Sequence, residues 1–223
     1  MSVNLFQRGS STGQKGGVGK TTTAVNLSAA LAARGQRVLF IDLDPQANAT
    51  SGIGHEPDGE DSMYYPLIGK STIEEKIIPS RIPNLSLIPS GVDLAGVEIE
   101  LARMDDHLMR LRNLLSSYKK HNGFDFCIVD TPPSLGVLMT SALAAADEIL
   151  IPLQCEWYGL DGPAKIVQVI EQIRDTGASP HVILEVILMT MYDGRTNLSR
   201  QVVEEVANYI PAQLYKTVVP RSI

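Results

Sequence analysis

The chain has 223 residues, of which 44% are hydrophobic and 20% charged, a composition typical of a globular protein with an ample core. Its formal net charge of −6 argues against a nucleic-acid footprint spread over the whole chain, so DNA binding would need a local basic patch. No apolar run is long enough to span a bilayer, no signal-peptide stretch is seen, and two separated cysteines fit buried thiols in a cytosolic protein.

Near the N-terminus lies a glycine-rich segment with two lysines, Lys-Gly-Gly-Val-Gly-Lys-Thr-Thr. Such a loop turns tightly around an anion, and the helical pattern that follows would place phosphates at a helix N-terminus. Lys20 is predicted to reach the β/γ-phosphates, and the Thr21 hydroxyl is suited to Mg²⁺. The alternative is an ordinary glycine-rich turn before a helix. The candidate phosphate-binding residues are Lys15, Gly16, Gly17, Val18, Gly19, Lys20, Thr21 and Thr22.

Helix-like and strand-like patterns then alternate along the chain. Helices are predicted at 21–34, 94–118, 137–145, 164–175 and 197–208, and a capping box at 71–74 predicts a further short helix. Strands are predicted at 37–41, 85–88, 124–129, 148–153, 182–189 and 214–219. This alternation predicts an α/β fold with a mostly parallel twisted sheet, helices on both faces, and a single domain over 1–223.

Two predicted strands end in carboxylates. Asp42 ends the strand at 37–41, and Asp130 ends Phe-Asp-Phe-Cys-Ile-Val-Asp. In parallel sheets, ligands bind outside the carboxyl ends of strands, so Asp130 is a candidate Mg²⁺ ligand. The alternative for Asp130 is an aspartate that caps a turn, and Asp44, just before Pro45, has the alternative of an Asx turn.

The two-lysine loop resembles the deviant Walker A motif of the ParA/MinD family, although the strict P-loop pattern fails at Gln14. Four later segments look like those of chromosomal, Soj-type ParA proteins: residues 44–52, 130–136, 152–158 and 191–198. MinD-like proteins share the loop but not the Asp-Pro-Gln-Ala-Asn-Ala-Thr run. The resemblance implies a P-loop NTPase-like fold and an ATPase with ATP and Mg²⁺ as cofactors.

The resemblance also implies roles for individual residues. Lys15, Lys20 and Asp44 would be catalytic, with Asp44 positioning or activating the attacking water. Asp42 would support the metal shell with Thr21 and Asp130. Lys15 would cross a dimer interface and contact the phosphates bound to the other subunit, acting like an arginine finger. These roles are expectations from the family, because the spacing itself shows only a second lysine near the loop.

The partners expected from the resemblance are a second copy of the chain in an ATP-dependent homodimer, nonspecific DNA, and a ParB-like activator, with no membrane. The location would be cytoplasmic and nucleoid-associated, and the role chromosome, plasmid or cargo partitioning. Arg195 matches an arginine implicated in DNA contact. The basic residues around it are mixed with acidic ones, so a solvated mixed face is an equal alternative on these residues alone.

Two features depart from the family pattern. Residues 8–14 are polar, and the apolar residues 3–6 lie too far upstream to enter the loop in the usual way. The first strand is therefore expected to be weak, displaced or built from small polar residues. Family members continue beyond residue 223, which leaves Pro220 and Ser222 as the candidates for the adenine edge. The alternatives are therefore a truncated, non-hydrolysing nucleotide-binding module or a MinD-like positioning ATPase.

Overall fold

The computed structural model describes most of the chain, with seven continuous stretches. They are residues 2–5, 19–56, 60–119, 123–134, 136–155, 183–209 and 211–221. Part of the predicted loop (15–18), Ser222 and the predicted helix at 164–175 lie outside the described residues. The single-domain prediction for 1–223 therefore stays a prediction.

All the described strands belong to one sheet. In chain order they are β1 (Ser2–Leu5), β2 (Val38–Asp42), β3 (Ile78–Pro79), β4 (Leu85–Ile88), β5 (Phe126–Asp130), β6 (Glu148–Gln154), β7 (Ile183–Tyr192) and β8 (Leu214–Pro220). Their order across the sheet is β3-β4-β2-β5-β1-β6-β7-β8, and every pair is parallel except β3 with β4. The predicted mostly parallel α/β sheet is confirmed.

Helices cover both faces of this sheet, as predicted. The described ones are α1 (Lys20–Ala33), α2 (Asn48–Gly52), α3 (Tyr64–Leu67), α4 (Leu94–Leu101), α5 (His107–Lys119), α6 (Val137–Ala145) and α7 (Asn197–Tyr209). A short 3₁₀ turn at Glu74–Lys76 stands where the capping box predicted a helix, and no side chain caps it.

Strand β2 shows how the core is divided between the two faces. All five of its residues are buried, as expected for a parallel strand covered on both sides. Leu39 and Ile41 pack in a cluster with side chains of α4, α5 and α6. Val38 and Phe40 pack in the opposite cluster with alanines of α1 and α2. Each large apolar side chain buried this way contributes about 1.5–3 kcal/mol, so the sheet edge that carries the polar residues is firmly held.

The first strand is central, which corrects the expectation that it is displaced. Strand β1 lies between β5 and β6, with Leu5 paired to Asp130 on one side and to Leu150 on the other. The chain therefore leaves β1 beside Asp130, at the edge of the sheet where α1 begins. The strand that precedes α1 is therefore in the sheet, although it ends at Leu5 and α1 begins only at Lys20.

The prediction of one long helix at 94–118 is wrong, because this segment forms two separate helices. Helix α4 ends at Leu101 and α5 begins at His107. Aspartate competes with helical hydrogen bonding and favours helix starts, and Asp105 and Asp106 stand in this break. Asp106 then forms an ion pair with Arg110 one turn into α5. Apolar residues keep their helical spacing across these five residues, so the sequence pattern did not indicate the break.

Candidate functional site

The first turn of α1 begins at a glycine in the left-handed region. Gly19 has φ 84° and ψ 13°, a conformation that costs little only for glycine. A β-carbon at this position would lie 3.7 Å from the Thr190 methyl group of β7, so backbone conformation, not space, sets the requirement for glycine. The free N–H groups of the following turn and the helix dipole favour an anion here.

Lys20, Thr21 and Asp130 form a cluster between α1 and the end of β5. The Lys20 ammonium lies 3.3 Å from Oδ1 of Asp130, and the two side chains are 7% and 0% exposed. The Thr21 hydroxyl donates a hydrogen bond of 2.7 Å to Oδ2 of the same carboxylate. Although the charges are paired, the Lys20 ammonium makes no hydrogen bond within the described part of the chain. A buried ammonium with unused donors is suited to an anionic ligand.

Burial dominates the electrostatics at these strand ends. It raises the pKa of the Asp130 carboxyl, against the opposing effects of the Lys20 charge and the Thr21 hydroxyl. It also raises the pKa of Asp42 to about 6, while hydrogen bonds from Thr50 act in the opposite direction. Asp42 and Asp130 are paired in register on β2 and β5, and each like charge disfavours the other. A cation would relieve this repulsion.

Asp42 is held by hydrogen bonds from its own segment and from α2. Its Oδ2 accepts from the Thr50 amide and the Thr50 hydroxyl, both at 2.8 Å, and its Oδ1 accepts from the Asp44 amide at 3.1 Å. The Ser90 amide donates to the Thr50 hydroxyl at 2.9 Å, and the Ser90 hydroxyl donates to the Asp44 carbonyl at 2.6 Å. Asp42, Thr50 and Ser90 are all fully buried.

Asp44 shows the Asx-turn geometry that the sequence left open as an alternative. Its Oδ1 accepts a 3.0 Å hydrogen bond from the Gln46 amide, across Pro45. Among the described residues, no hydrogen bond to Oδ2 is seen, and the charge of Asp44 raises the pKa of Asp130. The turn and a functional role are therefore compatible, because one oxygen forms the turn and the other stays available.

The predicted residues outside this cluster are spread along the carboxyl edge of the sheet. Arg195 follows β7 and forms a two-point ion pair with Asp193, with contacts of 2.8 and 2.9 Å. Pro220 ends β8, opposite Tyr192, and is exposed. Thr22 is exposed in the first turn of α1. The roles predicted for these residues, and for Lys15, Gly16, Gly17, Val18 and Ser222 outside the described part, stay predictions.

The residues present fit a nucleotide with magnesium. Gly19 and the α1 N-terminus offer backbone donors, and the Thr21 and Asp130 oxygens lie side by side. Lys20 offers a buried charge whose donors make no hydrogen bond to the described residues. Oxygen ligands are those that Mg²⁺ prefers. Lys20, Thr21 and Asp130 would thus hold the phosphates and the cation at one point of the sheet edge.

The fold is shared with solved nucleotide-binding structures. Cobyrinic acid a,c-diamide synthase from Mycobacterium smegmatis, with bound ADP and magnesium, superposes with a TM-score of 0.87. It is 34% identical, and the match covers 99% of this chain and 86% of that chain. The parallel sheet, the glycine-led helix and the strand-end carboxylate define the class of P-loop NTPases.

Sequence relatives narrow the class to a family. A family model described as an AAA domain matches residues 10–183. The chromosome partitioning protein ParA of Myxococcus xanthus is 44% identical over 211 residues, which cover 94% of this chain and 74% of that protein. The chromosome-partitioning ATPase Soj of Treponema pallidum is 39% identical over 210 residues, covering 94% and 81%. The chain belongs to the ParA/Soj family of partition proteins, as the loop and the later segments predicted.

Two residues of the site had no predicted role. Thr50 lies in the Asp-Pro-Gln-Ala-Asn-Ala-Thr run, but that run gave it no individual role, and no motif contains Ser90. The contacts of these two residues cross 8 to 46 positions of sequence. One signal was present, because Ser90 follows the short apolar strand β4, whose carboxyl end is adjacent to that of β2. The rule that parallel strands end at a common edge would have placed Ser90 near Asp44.

Proposed function

We propose that the chain is a magnesium-dependent ATPase that drives DNA or cargo partitioning. The observation that carries the proposal is the buried Lys20 ammonium, which lies against Asp130 at the start of α1 with no hydrogen bond of its own in the described residues. Burying a charge is costly, and an ammonium with unused donors is retained where a ligand completes its environment. Membership of the ParA/Soj family supports the same activity.

The geometry and the family resemblance together support the roles proposed for individual residues. Lys20 neutralises the charge of the terminal phosphates, and backbone N–H groups at the α1 N-terminus bind their oxygens. The Thr21 hydroxyl and Asp130 hold the cation, with Asp42 supporting its shell. Bound Mg²⁺ supplies charge neutralisation for the transferred phosphoryl group. Asp44 orients the attacking water with the oxygen that the Asx turn leaves available.

The proposal extends to partners that the family implies. Lys15 of one copy completes the phosphate site of a second copy, so that nucleotide binding holds a homodimer together. The dimer binds nonspecific DNA through exposed basic residues, including Arg195, and a ParB-like protein stimulates hydrolysis. The location proposed is the cytoplasm, at the nucleoid. Among the described residues, no helix has the length and apolar content needed to cross a membrane.

Phosphate release tests the enzymatic part of the proposal. Purified chain with ATP should release phosphate when Mg²⁺ is present and lose the activity when EDTA removes the cation. Calorimetry with a slowly hydrolysed ATP analogue measures binding separately. Analogue binding without phosphate release would contradict the proposed enzyme and support the non-hydrolysing module instead.

Mass measurement by size-exclusion chromatography with light scattering tests the dimer. The mass should double when the slowly hydrolysed analogue and Mg²⁺ are added. Lys15→Ala should bind the analogue and stay monomeric, whereas Lys70→Ala, an exposed control on the loop after α3, should dimerise like the parent. A Lys15→Ala chain that dimerises normally would contradict the role proposed for Lys15.

A further inference from the structure

A pair of buried hydroxyl groups holds the segment that carries Asp44. We infer that Thr50 and Ser90 are positioning residues, which fix the Asp44 carboxylate in the orientation needed for nucleotide hydrolysis. The inference rests on the proposed function, because it assigns these hydroxyls to the same site. Neither hydroxyl bonds to Lys20, Thr21 or Asp130, so the effect on the reaction acts through Asp42 and through the Asp44 backbone that Asp42 and Ser90 hold.

The hydrogen bonds form a continuous path through three separate segments. Thr50 on α2 donates through its hydroxyl to Asp42 at the end of β2, at 2.8 Å. The same hydroxyl accepts from the Ser90 amide in the loop after β4, at 2.9 Å. The Ser90 hydroxyl then donates to the Asp44 carbonyl, two residues beyond the end of β2, at 2.6 Å. The path closes on the residues around Asp44, so α2, β2 and the β4 loop are fixed to one another.

Both polar backbone atoms of Asp44 are hydrogen-bonded. Its amide donates to Asp42, and its carbonyl accepts from the Ser90 hydroxyl and from the Ala47 amide. Its Oδ1 accepts from the Gln46 amide. Since the backbone and one carboxylate oxygen are fixed, the direction of Oδ2 is also fixed. Ala47, which follows in the left-handed region at φ 52°, shows that the turn is held in a conformation its side chain disfavours.

Another buried hydroxyl in the same fold shows that this arrangement is not a general feature of the core. Ser28 is also fully buried, but its hydroxyl donates to the Ala24 carbonyl, one turn earlier in its own helix. That bond joins no separate segments. Thr50 and Ser90 instead satisfy their hydroxyls only by connecting distant parts of the chain, which is what preorganisation of a loop requires.

Paired substitutions test the inference by separating turnover from binding. Thr50→Val keeps the shape of the side chain and removes its hydroxyl, Thr50→Ser keeps the hydroxyl, and Ser90→Ala removes a single oxygen. Ser28→Ala is the matched control for a buried hydroxyl. Each variant is measured for kcat with MgATP, for affinity toward the slowly hydrolysed analogue, and for its thermal unfolding temperature. We expect Thr50→Val to lower kcat about 10-fold or more, because small displacements of a positioned group are costly.

The pattern across variants decides the result. Analogue affinity should stay within about threefold for Thr50→Val and Ser90→Ala, and Thr50→Ser and Ser28→Ala should keep kcat within about threefold of the parent. If kcat and analogue affinity fall together, the hydroxyls are merely structural and the inference is wrong. If Thr50→Val does not fold, the smaller Ser90→Ala change decides alone. If the parent binds ATP but never hydrolyses it, the proposed function itself is wrong. If the parent is active and both Thr50→Val and Ser90→Ala have the same kcat as the parent, only this inference is wrong.

Discussion

Two ion pairs at the same edge of the sheet have opposite environments. Lys20 and Asp130 are 7% and 0% exposed and lie 3.3 Å apart. Arg195 and Asp193 are 81% and 20% exposed and lie 2.8 Å apart, with two-point geometry. The closer and better-aligned pair is the one in solvent, where such pairs contribute little to stability. The buried pair is longer and almost fully desolvated, and burying two charges is costly, which supports the proposal that a ligand completes this site.

The same contrast appears in the carboxyl groups. Burial raises the pKa of Asp42 to about 6, whereas the hydrogen bond from Arg195 lowers the pKa of Asp193 to about 2. The folded protein disfavours the ionised form of Asp42 and favours the ionised form of Asp193. Their effects on stability therefore have opposite pH dependence, and each can be measured separately.

The largest expected effect comes from breaking the buried pair. Lys20→Met removes the charge and keeps most of the side-chain volume. ATP turnover should fall by about 100-fold or more, the loss typical of removing one group that stabilises transferred charge. Phosphate release and analogue calorimetry check this, with Lys70→Met as the exposed control. Turnover equal to that of the parent would show that Lys20 is structural.

The next effect is on stability without nucleotide or Mg²⁺. The folded-state pKa of Asp42 lies above its unfolded value of 3.8, so the folded protein binds more protons between pH 4 and 6. Its stability should then decrease as pH rises through this window, by roughly 3 kcal/mol from Asp42 alone. Urea unfolding across pH 4 to 6 measures the slope.

Substitution sharpens the pH experiment. Asp42→Asn should flatten the decrease, because the amide does not titrate, whereas Asp105→Asn at an exposed position should leave it unchanged. If the stability of the parent rises from pH 4 to 6, and the Asp42→Asn variant shows the same rise, the raised pKa of Asp42 is contradicted.

The smallest effects are expected at the exposed pair. Arg195→Ala should weaken nonspecific DNA binding by the analogue-bound protein a few-fold and reduce the salt dependence by about one phosphate contact. Asp193→Asn should strengthen binding, because it releases the Arg195 guanidinium from its partner. Fluorescence anisotropy with unrelated DNA duplexes at several salt concentrations measures both changes.

Arg34→Ala, at the far end of α1, is the control for the DNA experiment. Unfolding in acid gives a second check on the exposed pair. The lowered pKa of Asp193 contributes stability above about pH 4 that is lost as pH falls toward 2, so Asp193→Asn should remove that part of the loss. If Arg195→Ala and Arg34→Ala weaken DNA binding equally, Arg195 has no particular role.

Much of this protein follows from local patterns in its sequence. Runs of apolar residues that end in aspartate predicted β2 and β5, and the two-lysine loop with its later segments predicted the family. These features are readable because they depend on neighbouring residues: burial on both faces needs a continuous apolar run, and a phosphate loop needs glycines before a helix.

Tertiary structure alone decided the remaining features. Strand β1 takes the central position because its short apolar stretch pairs on both sides, despite the unusual distance to α1. Thr50 and Ser90 meet Asp42 and Asp44 only because parallel strands end at one edge. Such contacts join residues far apart in sequence, and burial then determines which of their charges and hydroxyls must be satisfied by one another.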